Sequence, residues 1–446
     1  MRFGLMIMAA GLCAGPAMAG ELAYPVVGTN QRQCYDEQGH EGCGAGPAGQ
    51  NADHPGRAPH YRDNGDGTVS DLVTGLIWQK DFAKSSWAQA PALAAQARTG
   101  GHSDWRVPTI KELYSLIEFS GASGRAMPSQ IGAPADARPY LDSTAFAFEY
   151  PAQGRYIDAQ YISATAYTGQ TMGHDASFFG VNFADGRIKA YPQNGGPGGR
   201  QWYLRLVRGN PAYGRNDFAD QGDGTIQDRA TGLVWSKADS GHGMDWAAAL
   251  AYCRTSTLAG HHVWRLPDAK ELQSIVDYAR SPAATRSAAI DPIFQITAFR
   301  DEEGGQDWPF FWTSTTHLDG RQPGDFAVYV AFGRATGYLR PGGGMGGGMG
   351  GPPPGNGFGP PPGSGFPPPP PPPGMGGGGM GMMGPPPGTG MGGPESGGGQ
   401  MTLMDVHGAG AQRSSPKSGD ESRLPKGQGP QGDVLRIHNF VRCVRD

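Results

Sequence analysis

Four basic side chains recur in one fixed pattern. Arg106 and Lys111 lie in Trp105-Arg106-Val107-Pro108-Thr109-Ile110-Lys111-Glu112-Leu113. Arg265 and Lys270 lie in Trp264-Arg265-Leu266-Pro267-Asp268-Ala269-Lys270-Glu271-Leu272. Pro108 and Pro267 push the residue before them toward extended geometry. Thr109 and Asp268 are N-cap types, and Glu112 and Glu271 follow at capping-box spacing. Each nonapeptide therefore predicts a strand end turning into a helix. A guanidinium and an ammonium beside a helix N-terminus suit an anion, a sulfate or a carboxylate. The plainer reading, stem packing and salt bridges, carries more weight.

Other residue types offer other chemistries. Trp308 and Trp312 flank Pro309-Phe310-Phe311, and Phe311 completes an aromatic cluster able to stack on a sugar face or form an interface. Burial is the plainer reading and carries somewhat more weight. Six of the nine tryptophans pair across the repeat, Trp78 with Trp235, Trp87 with Trp246 and Trp105 with Trp264, which marks them as core. The stretches Asp63-Asn64-Gly65-Asp66-Gly67 and Asp220-Gln221-Gly222-Asp223-Gly224 invite Ca²⁺. The first ligand positions of the EF-hand pattern are then Arg62 and Ala219, so hairpin turns are expected instead. Met345, Met349, Met375, Met380, Met382, Met383 and Met391 are soft thioethers suited to Cu(I), but their spacing is irregular and a flexible spacer is the simpler reading. No metal or cofactor is assigned. The chain holds no Gly-x-Ser-x-Gly, His-Glu-x-x-His, Walker loop or Cys-x-x-Cys, and a non-enzymatic protein is expected.

The elements that position these residues come in two sets. After Asp66-Gly67-Thr68 comes Thr74-Gly75-Leu76-Ile77-Trp78, and after Asp223-Gly224-Thr225 comes Thr231-Gly232-Leu233-Val234-Trp235. Both read as hairpins. A helix follows each, started by Ser86 and by Asp245, and Pro91 should kink or shorten the first. The corner and its helix come next, then β-rich halves in which Tyr161–Thr165 matches Phe311–Thr315. The closing strands are 202–208 and 439–445. Module one spans residues 57–209 and module two 210–446.

Gly 75 and Pro 40 are concentrated late in the chain. Residues 341–432 cannot bury a core and are expected to be a disordered insertion within module two, because a closing strand lies beyond them. Met1–Ala19 reads as a secretory signal peptide, with Arg2, a short apolar run and Ala17-Met18-Ala19 before the cleavage point. A periplasmic or secreted, disulfide-permitting location follows. Residues 20–56 form a polar lead segment in which Cys34 and Cys43 are expected to pair; a metal site using His40 has too few ligands. The net charge of -4 and the lack of a basic run argue against nucleic acid. No stretch of the sequence is expected to span a membrane.

Cys253 and Cys443 carry a further inference. Module one has Ala94 and Leu206 at the equivalent positions, so both cysteines are replaced together. That pattern predicts a buried Cys253–Cys443 helix-to-strand bridge.

Asp-Gly-Thr-x-x-Asp, Thr-Gly-Leu-x-Trp, Trp-Arg-x-Pro-x-x-Lys-Glu-Leu, a Trp-Thr-Ser-Thr-like strand and Val-Arg-Cys-Val-Arg occur here in order. Together they resemble the family named for the C-terminal domain of the Legionella collagen-like adhesin. The corner is also similar to the Arg-Leu-Pro-Thr segment of formylglycine-generating enzymes. These resemblances imply an α+β fold of tandem C-type-lectin-like modules, each with two helices and a twisted antiparallel sheet, and binding of sulfated glycans at a cell surface. The expected function is an exported protein that binds a glycan or surface component. The alternatives are a protein–protein scaffold using the Trp308–Trp312 patch, and a degenerate enzyme of the formylglycine type.

Overall fold

The computed structural model describes residues 22–44, 46–125, 132–152, 154–195, 199–320, 322–339, 401–429 and 431–446. The expected signal peptide, the seven-methionine tract and most of the expected insertion lie outside them.

The first copy contains β1 (Tyr61–Asp63), β2 (Thr68–Asp71), β3 (Leu76–Gln79), β4 (Ala83–Ser85), α1 (Ala90–Gln96), α2 (Ile110–Ser115), β5 (Gln160–Thr171), β6 (Asp175–Asn182), β7 (Arg187–Pro192), β8 (Trp202–Leu204) and β9 (Val207–Gly209). The second contains β10 (Phe218–Asp220), β11 (Thr225–Asp228), β12 (Val234–Ser236), α3 (Trp246–Arg254), α4 (Ala269–Ser274), β13 (Phe299–Arg300), β14 (Gln306–Asp307), β15 (Phe310–His317), β16 (Phe326–Ala331), β17 (Thr336–Leu339), β18 (Thr402–Asp405), β19 (Gln412–Pro416) and β20 (Val444–Arg445).

Each copy opens with a small antiparallel sheet closed by its last strand, β1-β2-β3-β9 and β10-β11-β12-β20. The larger sheet belongs to both copies at once. Its order is β15-β16-β19-β7-β6-β5-β8-β4, with β19 and β7 antiparallel at the seam. A three-strand run of the second copy, β15-β16-β19, thus meets a five-strand run of the first, β7-β6-β5-β8-β4, edge to edge. Pairing at the seam removes two exposed edges that would otherwise invite association.

This arrangement overturns the expected α+β pair of lectin-like modules. The structure is mostly β, and its four α-helices among the described residues are only six to nine residues long. They cap the sheets and do not form layers of their own. The capping boxes at Thr109 and Asp268 do form in full. A capping box fixes where a helix begins, however, not how far it runs, and both corner helices end within two turns. Pro91 occupies the first turn of α1, so that helix starts at Ala90 and not near Ser86.

The extent of the insertion is corrected as well. Residues 401–432 were expected to be disordered, yet β18 pairs with β17, and β19 enters the large sheet beside β16. The lead segment is equally built in. Tyr24, Val27, Thr29 and Asn51 are buried. The Gln31 side chain exchanges two hydrogen bonds with the Thr316 backbone at 2.8 Å, while the Thr29 carbonyl accepts from Phe119 N at 2.7 Å. One segment therefore staples the first copy to the second.

Candidate functional site

Both corners close in the same way. Arg106 exchanges backbone hydrogen bonds with Val207, and Arg265 with Val444. Trp105 Nε1 donates to the Thr99 carbonyl at 3.1 Å, and Trp264 Nε1 to the Leu258 carbonyl at 3.0 Å. The twin indoles occupy matching places. The Arg106 guanidinium forks onto Glu112 with both bonds at 2.6 Å, and Arg265 forks onto Glu271 at 2.6 and 2.7 Å. Burial opposes the charge of Arg265, but the Glu271 carboxylate outweighs it and holds the guanidinium pKa above its ordinary value. Neither arginine is free to receive an anion.

The two lysines form a reciprocal clasp. Lys111 Nζ donates to the Ser274 carbonyl at the end of α4 (2.6 Å), and Lys270 Nζ to the Ser115 carbonyl at the end of α2 (2.8 Å). Lys111 also reaches Asn216 Oδ1 and Gly214 O, and Lys270 reaches Gly28 O. Each copy thus satisfies the last carbonyls of the other's corner helix. Burial pushes both ammonium groups down to about 8. A lysine depressed in the folded state adds stability above its unfolded pKa of about 10.4, and loses it as the pH falls through the folded value. The stability of the parent relative to Lys270→Met is therefore expected to rise between about pH 8 and pH 10, by up to about 1.4 kcal/mol per unit. Urea denaturation at those two pH values measures the difference, and a constant gap would refute the clasp.

Most of the Trp308–Trp312 cluster is interior. Phe311 and Trp312 are fully buried, and Trp308 is partly buried. Trp312 Nε1 donates to Met244 O at 2.9 Å. The Asp-Gly turns are hairpins whose carboxylates are already engaged. Asp66 and Asp223 accept from the backbone and hydroxyl of Thr68 and Thr225, while Asp63 and Asp220 pair with Lys80 and Lys237. Cys34 bonds to Cys43, and Cys253 to Cys443.

Sequence reasoning missed Arg205 and Arg442. Each is buried in a closing segment, with its guanidinium donating only to backbone carbonyls. Arg205 reaches Gln79 and Ala147, and Arg442 reaches Ser236 and Gln295. Burial pushes Arg442 down to about 10. The signal was present: a charged residue inside an apolar run, repeated in both copies.

Because the shared polar residues are spent on the fold, a ligand must be read by what the copies do not share. One cleft of about 600 Å³ lies between the copies, but Lys111 and Asn216 on its wall are tied up in the clasp. A second groove, of about 440 Å³, opens on the second copy between the Gly222–Gly224 turn, residues 236–239 and α3. In the first copy, the Gln79 side chain accepts from Leu206 N and donates to Thr99 Oγ1 at 2.8 Å, spanning the equivalent space. In the second, Ser236 Oγ accepts from Cys443 N in the same way but is too short to cross. Tyr252, Ser256 and Gln295 line the groove. Their counterparts are Leu93, Ala97 and Ala147. The last match is fixed by geometry, since Gln295 N bonds to Lys237 O and Ala147 N to Lys80 O.

A duplicated, β-rich module with a ligand-sized groove in one copy is the class of protein these features define. The model for the Lcl C-terminal domain matches residues 67–208 and 224–343, more than half of the chain. The chain belongs to that family and carries two copies of its domain. No curated protein and no solved structure matches it. Among the described residues, no helix is long and apolar enough to cross a membrane, and no group of three or more His, Cys, Asp or Glu is placed to hold a metal ion.

Proposed function

We propose that this is an exported, non-enzymatic binding protein that holds a glycan of a cell surface. The observation that carries the reading is the asymmetry of the groove. At three equivalent positions, the closed copy has Leu93, Ala97 and Ala147, and the open copy has Tyr252, Ser256 and Gln295. A ring, a hydroxyl and an amide around a cleft are the sparse polar groups that fix a ligand's orientation. Membership of the Lcl C-terminal domain family supports the reading. Two disulfides fit an oxidising compartment after export. A scaffold acting through Trp308–Trp312 has less support, because Phe311 and Trp312 are interior. A glycan array probed with the full chain tests the proposal. Retention on at least one immobilised glycan is expected; retention on none overturns it.

A further inference from the structure

We propose that the groove of the second copy takes a neutral, hydroxyl-rich sugar ring, and that Tyr252 is the platform on which the ring lies. This rests on the glycan-binding reading and narrows it to a ligand class and a place. Tyr252 is 42% exposed, and it is the one aromatic among the large hydrophobic side chains that stand exposed in the described residues. It sits on the wall of a groove whose volume falls within the roughly 300–1,000 Å³ of small-molecule sites. An exposed phenol ring offers an apolar face to the C–H face of a pyranose and keeps its hydroxyl in water.

The polar groups suit hydroxyls and offer no excess positive charge to a sulfate. The exposed Gln295 amide supplies both a donor and an acceptor. Ser256 Oγ accepts from Leu258 N at 3.3 Å, which leaves its own proton to donate. Asp239 is held in place by Thr297 N and Thr297 Oγ1 at 2.6 and 2.7 Å. Asp220 carries the other carboxylate, and Lys237, paired with it, is the one ammonium on the groove wall. Asp220 and Asp239 are balanced by Lys237 and by the buried Arg442 guanidinium, which donates to the Ser236, Lys237 and Gln295 carbonyls behind the wall. The groove therefore has no excess positive charge to draw a sulfated or uronic sugar, while a neutral sugar can donate its hydroxyls to the carboxylates.

Calorimetric titration of the full chain with maltotriose, mannotriose and chitotriose, beside a heparin fragment, tests this. At least one neutral trisaccharide is expected to bind with little dependence on salt. Tyr252→Ala should weaken it about ten-fold or more, the effect of losing an aromatic anchor. Leu93→Ala, at the equivalent place in the first copy, should leave it unchanged. Binding of heparin alone, or neutral-sugar binding that survives Tyr252→Ala, overturns the inference while leaving glycan binding standing. Failure to bind any glycan, on the array or in solution, removes both. Unchanged thermal unfolding of the Tyr252→Ala protein verifies that the fold is intact.

Discussion

Cutting the Cys253–Cys443 bridge is expected to lower the stability of the folded chain by up to about 5 kcal/mol, the loop-entropy figure for a cross-link of this span. The bonded residues are 190 positions apart in sequence. The bridge joins α3 to the closing segment just before β20, so it encloses the whole stretch between β17 and β18 that lengthens the second copy. The first copy shows how to remove it cleanly. Ala94 and Leu206 stand at the equivalent positions and are themselves 3% exposed, inside one hydrophobic cluster. The double variant Cys253→Ala, Cys443→Leu therefore keeps an apolar, filled contact while deleting the covalent tie. Its unfolding in urea under oxidising conditions, where Cys34–Cys43 stays intact, should show that loss relative to the oxidised parent. A variant as stable as the oxidised parent would show that the tie contributes nothing.

Glu271→Ala is expected to cost about 3–5 kcal/mol, the effect of stranding one member of a buried ion pair. Glu271 accepts both arms of the Arg265 guanidinium and the backbone N–H of Asp268 at 2.9 Å. The Arg265 side chain is 10% exposed, and its other carboxylate contact, Asp446, is largely in water. Glu112→Ala makes the same cut in the first copy, where the Arg106 side chain is 35% exposed. There the stranded guanidinium can hydrate, so the loss should be smaller, about 1–3 kcal/mol, the scale of an unmade hydrogen bond to a charged group. Urea titrations of the two variants measure the gap. Equal losses would mean that exposure does not govern the strength of the pair.

What was legible in the sequence was what is local or duplicated. The proline, the cap residue and the glutamate of each corner lie within five residues of one another, and their hydrogen bonds form as the spacing predicts. The repeat located both copies, and the joint replacement of Cys253 and Cys443 by Ala94 and Leu206 pointed to their pairing. The binding roles first considered for Arg106, Arg265, Lys111 and Lys270 required these groups to be free. The arginines' partners, Glu112 and Glu271, lie within the corner itself, but the lysines' acceptors lie as far off as Ser274 for Lys111 and Ser115 for Lys270. No local pattern contains the lysines' partners.

The sequence by itself therefore determined the duplicated unit, its corners, its family and its cross-links, because each follows from short-range geometry or from comparison of one copy with the other. Only the tertiary structure decided how the copies join. The β19–β7 seam makes one sheet of two, the lysines cap each other's helices, and the lead segment staples the halves. It also decided that Ser236 leaves open what Gln79 closes. These features arise from contacts between residues far apart in the chain, where packing and the satisfaction of buried polar groups outweigh any local preference.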